Sequence, residues 1–246
     1  MIKTLFSKKW IITTFIAIAA VGVLARLGIW QLDRLDQRQA FNARVFEQVN
    51  REVLDLNNQS APDDINEMEF RQVIVQGEYD HSYEVALRNQ VWNDSPGVHL
   101  LTPLKIDASD EVILVDRGWI PLEDLTPEEW EKYQEPGLVI VRGVIRASQS
   151  GTDFGSRVDP TPMPGEILSA WHLADVERIG AQMPYDLLPV YIQQAPDPEW
   201  AEMPYRSEPN LTLSEGPHLG YAVQWFSFAL ILLVGYPIYV RRESMV

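Results

Sequence analysis

Cysteine is absent from all 246 residues. Its absence excludes disulfide staples, thiolate nucleophiles, iron–sulfur clusters, Cys-ligated zinc and copper held by Cys-x3-Cys sites. Positive charge is scarce. Twenty Lys and Arg stand against 35 Asp and Glu, a formal net charge of -15, which excludes a protein that grips nucleic acid through its overall field. Charged residues make up 22% and apolar ones 46%, too apolar for a disordered chain. There is no internal repeat and no low-complexity tract. What remains is a folded protein with non-thiol chemistry.

The apolar residues concentrate at the two ends. From Trp10 to Leu32 the only charge is Arg26, and at 1.5 Å per residue that run can cross a hydrocarbon core of ~30 Å. A cleaved signal peptide is the alternative, with Lys8 and Lys9 before the apolar stretch and Val23-Leu24-Ala25 as a cleavage site. The second run, Leu219 to Val240, carries no charge and is followed at once by Arg241 and Arg242. With Lys3, Lys8 and Lys9 before the first run, the positive-inside rule places both termini in the cytoplasm. The segment between, Gln31 to Pro217, holds 14 basic and 34 acidic residues, a net charge of -20. It reads as a domain exported across a bacterial cell membrane into the periplasm. No Arg- and Ser-rich, acid-poor presequence points to mitochondrial import. The expected organisation is a cytoplasmic stretch over 1–9, spans over 10–32 and 218–240, the exported domain over 33–217, and a cytoplasmic tail over 241–246.

Past the first span, Leu35, Phe41, Val45, Val49 and Val53 keep a helical spacing, which predicts a stalk continuing to Leu56 before Asn57-Asn58 ends it. The apolar period then falls to two. Arg71–Gly77, Tyr83–Asn89, Val98–Ile106, Val112–Trp119, Leu138–Ile145 and Val190–Gln194 read as strands, with turns at Asn93–Gly97 and Asp107–Asp110. Thr126 to Glu131 predicts a short capped helix with Pro127 in its first turn, Ala170 to Gln182 a second helix, and Gly151 to Gly165 a loop. The fold class is therefore a membrane protein in which two transmembrane α-helices flank an exported α+β domain dominated by antiparallel β-strands.

Four motifs in order resemble one family. They are Leu27-Gly28-Ile29-Trp30-Gln31-Leu32-Asp33-Arg34 at the end of the first span, Phe70-Arg71-Gln72-Val73 with Gly77-Glu78-Tyr79, Val115-Asp116-Arg117-Gly118-Trp119-Ile120-Pro121, and Gly216-Pro217-His218-Leu219-Gly220-Tyr221-Ala222-Val223-Gln224-Trp225-Phe226-Ser227-Phe228-Ala229 at the second span. Together they are similar to the Surfeit-locus (SURF/Shy-type) assembly proteins of the haem-copper cytochrome c oxidase. The stretches 122–135 and 147–165 carry no part of the resemblance.

With both termini inside, both signatures fall at the exterior membrane boundary. His218, Tyr221, Trp225 and Phe228 then share one stripe of the second helix, while Gly22, Arg26 and Trp30 stack at intervals of four on the first. An imidazole, a cation and aromatic walls suit a haem, which needs an axial nitrogen, apolar faces and positive charge near its propionates. Interfacial anchoring accounts equally well for the aromatics, a His at a helix start can cap or snorkel, and Arg26 can snorkel to the headgroups. The resemblance favours the ligand role, since His218 matches the histidine through which family members are proposed to bind haem a. It implies His218 as the haem-iron ligand, with haem a held transiently; the helix stripes add Arg26 as charge partner and Trp30, Tyr221 and Trp225 as walls. The implied partners are the oxidase catalytic subunit, the lipid bilayer and, as a further candidate, the haem a synthase.

Arg117, Gly118 and Trp119 end a strand with typical interface anchors. They read as a contact with the oxidase or with the protein's own helices, or alternatively as an ion-paired Arg and a core Trp. His81, His99 and His172 show no metal-ligand spacing and read as structural. Gly151 and Gly155-Ser156 form no nucleophile elbow, no Gly-rich phosphate loop is present, and pairs such as Glu128-Glu129 read as solvated surface. The expectation is a non-enzyme. It is an oxidase assembly factor that binds or stabilises haem a, with a membrane-anchored scaffold that never touches haem as the alternative.

Overall fold

The computed structural model describes residues 2–149, 159–160, 167–209, 211 and 213–245. They fall into two compact units, a helical one of Met1–Arg44 with Thr212–Val246 and a sheet one of Val45–Leu211. The helices are α1 (Ile2–Leu5), α2 (Ile11–Val49), α3 (Val176–Gly180) and α4 (His218–Glu243). The strands are β1 (Leu54–Asp55), β2 (Gln72–Tyr79), β3 (Val85–Trp92), β4 (Ser95–Ile106), β5 (Val112–Pro121), β6 (Leu138–Ala147), β7 (Ala170–Trp171) and β8 (Val190–Gln194). The loop expected over Gly151–Gly165 lies outside the described residues, apart from Asp159 and Pro160.

Within the helical unit, α2 and α4 are each long and apolar enough to cross a membrane. The chain is thus a membrane protein with two spans and a mixed-sheet domain between them in sequence. Helices are the form such runs must take in lipid, where every backbone N–H and C=O has to be satisfied inside the segment. α2 has 39 residues, about 58 Å at the usual rise, so it outruns a hydrocarbon core of ~30 Å. Its end is a correction. The helix stops at Val49 instead of reaching Leu56, because Leu54 and Leu56 are both buried with a period of two and Leu54–Asp55 pairs in parallel with Val73–Ile74 of β2.

In the sheet unit the strand order is β1-β2-β6-β8-β5-β4-β3-β7, with β2 also pairing β4. That extra pairing, Gly77–Tyr79 against Leu104–Ile106, joins β2, β6, β8, β5 and β4 into a closed ring. Antiparallel pairs predominate, at β2–β4, β2–β6, β3–β4, β4–β5 and β6–β8. Parallel pairs occur at β1–β2, β3–β7 and β5–β8. Alternation sorts the side chains. Val73, Val75, Leu104, Ile106, Ile113, Val115, Val141, Ile145, Val190 and Ile192 fill one cluster, as the inward positions of a small barrel should. Leu101, Leu114 and Tyr191 point the other way, where Trp171, Val176 and Ile179 cover them.

The remaining local differences have local causes. Ala170–Gln182 is not one helix. Trp171 is fully buried in β7 beside β3, and only α3 follows, its first turn capped by the Asp175 carboxylate, which accepts from the Arg178 N–H at 3.2 Å. Pro127–Tyr133 winds as a 3-10 helix with no side-chain cap from Thr126, pulled inward by the buried Trp130. The expected turn at Asn93–Gly97 shrinks to Asn93-Asp94, both with positive φ (46° and 63°). This two-residue hairpin geometry suits the strand twist, and Ser95–Gly97 join β4.

Candidate functional site

The α2–α4 seam is built from small residues and a few polar ones. A Cβ on Gly28 would stand 2.7 Å from the Phe226 ring, so the missing side chain is what lets this ring seat on α2. Ala222, Ala229 and Val240 are buried along α4 at intervals that follow the helical repeat. At one end the Tyr236 hydroxyl lies 2.9 Å from Thr13 Oγ1 and 2.8 Å from Thr14 Oγ1. At the other end His218, the first residue of α4, sets its Nδ1 2.7 Å from Gln31 Oε1. Polar pairs at the two ends, with the Phe226 ring seated on Gly28 between them, are contacts by which helices associate when lipid is as apolar as their side chains.

His218 lines a cavity of about 270 Å³ with Arg34, Gln37, Arg38 and Phe41. On α2 the positions 31, 34, 38 and 41 are offset by 3, 7 and 10, the spacing of a single helical face. Arg34 donates to Gln37 Oε1 at 3.0 Å and lies over the Trp30 ring at 5.7 Å. The arrangement offers one imidazole nitrogen, two guanidiniums and an aromatic edge, which can take a metal on the ring nitrogen and carboxylates on the cations.

The residues expected at this boundary divide. His218 is half-buried at the cavity, and Trp225 is half-buried, edge-on to Phe228 at 6.2 Å. Trp30 and Tyr221 are 42% and 47% exposed. Arg26 reaches Asp33 at 3.9 Å with its side chain 68% exposed. These three do not converge on His218. Arg34, Gln37, Arg38 and Phe41 lie past the apolar run and Gln31 reads as part of it; the 3, 7, 10 spacing of Arg34, Arg38 and Phe41 from Gln31 is the signal that could have found them.

In the sheet unit, a bulge in β5 leaves Arg117 between the pairs Leu101↔Asp116 and Leu100↔Gly118. Its guanidinium is wholly buried, 3.2 Å from Glu84 and 3.0 Å from Glu135. It also donates to the Tyr133 carbonyl and lies over the Tyr79 ring at 5.0 Å. Arg206 shares Glu135 at 3.2 Å. Trp119 is buried and stacks on Tyr205, which stacks in turn on Trp92. Gly118 has φ +118°, and a Cβ there would stand 2.5 Å from the Tyr205 carbonyl oxygen. Arg117 and Trp119 therefore take the interior alternative, and the surface contact expected of Arg117, Gly118 and Trp119 is corrected. The bulge and the burial of β5 turn both side chains inward, and the Tyr205 backbone, bridged to Trp119, covers Gly118.

Each remaining histidine faces one carboxylate: His81 with Glu84 at 2.7 Å, His99 with Asp116 at 2.9 Å and His172 with Asp159 at 2.8 Å. Burial pushes the His99 pKa down, but the Asp116 charge and hydrogen bond outweigh it and leave the pKa raised. No group of three metal-ligating side chains occurs among the described residues.

A family model described as the SURF1 family matches residues 18–230. The chain belongs to the SURF1 family. The match runs from within α2 to within α4 and so takes in every residue of the His218 cavity. Among relatives in the SURF1 family, a SURF1-like protein of Monosiga brevicollis is 28% identical, with 89% of this chain and 83% of the relative covered. Surfeit locus protein 1 of Mus musculus is 24% identical over 89% of this chain and 73% of its own length. The cytochrome oxidase assembly protein SHY1 of Saccharomyces cerevisiae is 26% identical over 69% of this chain and 44% of its own.

Proposed function

We propose that this SURF1-family protein is a membrane-anchored assembly factor of cytochrome c oxidase, which takes up haem a as cargo for the oxidase catalytic subunit. The observation that carries the reading is the His218 cavity. One imidazole has its Nδ1 occupied by Gln31, and two guanidiniums, Arg34 and Arg38, stand on the same wall. The donor set fits the cargo: a neutral imidazole nitrogen suits haem iron, and paired guanidiniums suit its carboxylates. His218 would hold the iron, and Arg34 and Arg38 would hold the propionate edge. Arg26, Trp30, Tyr221 and Trp225 would close on the cargo once it is seated or pack against a partner helix. The protein binds and hands on; it catalyses no bond change.

The assignment of sides follows from charge. Lys3, Lys8, Lys9, Arg241 and Arg242 hold both termini in the cytoplasm of a bacterial cell, and the acidic sheet domain stands in the periplasm. There it meets the catalytic subunit and the haem a synthase. A second reading, a scaffold that binds oxidase subunits without touching haem, is favoured by one observation, the exposure of Trp30 and Tyr221.

The test is the visible absorption spectrum of the detergent-purified protein from cells that make haem a, beside its His218→Ala variant. A Soret band that weakens in the variant supports cargo binding. A protein without the band that still restores oxidase in a deletion strain makes the scaffold the better reading.

A further inference from the structure

The imidazole of His218 has two different neighbours at its two nitrogens. Nδ1 lies 2.7 Å from Gln31 Oε1, and Gln31 is itself only 9% exposed. A side-chain carbonyl oxygen can only accept, so the ring nitrogen facing it carries the proton, and in the neutral ring the lone pair is then on Nε2. On the other edge, Gly216 has φ +69°, and a Cβ there would stand 3.3 Å from His218 Cδ2 and 3.4 Å from Nε2. The missing side chain keeps that edge clear, on a residue that also lines the cavity with Arg34 and Arg38.

We propose that Gln31 and Gly216 are positioning residues: Gln31 locks His218 in its Nδ1–H tautomer, and Gly216 leaves Nε2 open as the nitrogen that ligates a porphyrin iron. The proposal rests on the cargo reading above. The acceptor at Nδ1–H fixes the ring orientation and raises the basicity of Nε2. Such partners of a ligating histidine are typically worth 10–100-fold in metal affinity. Gln31 is placed for this by lying about one turn past Gly28, on which the Phe226 ring of α4 seats. A nearly buried amide has little freedom to turn away.

The test uses the full chain in lipid nanodiscs with ¹⁵N-labelled histidine and no metal. The His218 ring signals are assigned by their loss in His218→Ala. The expected spectrum has a protonated Nδ1 and an unprotonated Nε2, and Gln31→Leu should show a mixture of both tautomers. Haemin is then titrated and followed at its Soret band. Gln31→Leu should bind about 10–100-fold more weakly. Gln31→Glu, which keeps an acceptor of equal length, should restore the tautomer and the affinity and lower the midpoint potential of the bound iron. Gly216→Asn, a side chain that tolerates φ +69°, should keep the tautomer and still lose affinity, because its Cβ crowds the Nε2 edge. An Nε2–H tautomer in the parent, or unchanged tautomer and affinity in Gln31→Leu, overturns the lock. A locked tautomer in a protein that takes up no haemin overturns the cargo reading and the ligating role with it, while the lock stands.

Discussion

Arg117 shows how one residue type carries opposite meanings. The same Arg-Gly-Trp run that reads either as an exposed anchor or as an ion-paired Arg with a core Trp is, in the fold, the second: a guanidinium with no exposed surface, between Glu84 and Glu135. Removing one partner of a buried ion pair leaves the others desolvated and unpaired, typically at a cost of about 3–5 kcal/mol. Arg117→Met should therefore destabilise the sheet unit by about that much, read as lowered resistance to pulse proteolysis in urea. Adding Glu84→Gln and Glu135→Gln should recover a large part, and a single variant as stable as the parent would deny the network any structural role. His99 makes a pH prediction. Its folded pKa is raised above the ordinary 6.5 by Asp116, so its share of the stability is fully present below pH 6.5 and is lost as pH rises through the raised value. His99→Gln should flatten the fall in melting temperature above pH 6.5, and an unchanged slope would assign the fall to other groups.

The long helices and the individual strands were legible for different reasons. α2 and α4 announce themselves by apolar runs that only a helix can carry through lipid, whereas the seating of Phe226 on Gly28 is seen only in the structure. Gly28→Val should push the Phe226 ring off α2, given a 2.7 Å approach already at Cβ. The expected result is a lower thermal-aggregation temperature in micelles. Phe226→Ala in the same chain should restore part of it; if it restores nothing, the close approach is not what the substitution disturbs. Strands β2 to β6 and β8 followed from β-branched residues at period two. The two-residue pieces β1 and β7 did not, since Leu54–Asp55 and Ala170–Trp171 are too short to show any period. Each forms only because a longer strand offers it an edge.

For the molecule as a whole, charge asymmetry makes the firmest forecast. An acidic segment with net charge -20 stands between two spans whose outer flanks hold the five basic residues Lys3, Lys8, Lys9, Arg241 and Arg242. A green fluorescent reporter fused after Val246 should fluoresce, and alkaline phosphatase fused there should be silent. Phosphatase inserted at the Asn93-Asp94 hairpin should be active. The reverse pattern would invert the proposed orientation and put the His218 boundary on the cytoplasmic face.

Family, the spans and most strands were readable from the chain alone, because each rests on local runs or on motifs contiguous in sequence. The partners of those residues were not. Gln31 meets His218 across 187 positions, Arg117 meets Glu84 across 33, and β2 closes the ring through β4. Such meetings depend on how helices pack and where a bulge falls, and no periodicity along the chain records that. Composition and spacing determine which elements form and which face is apolar; only tertiary packing decides which polar groups those faces bring together.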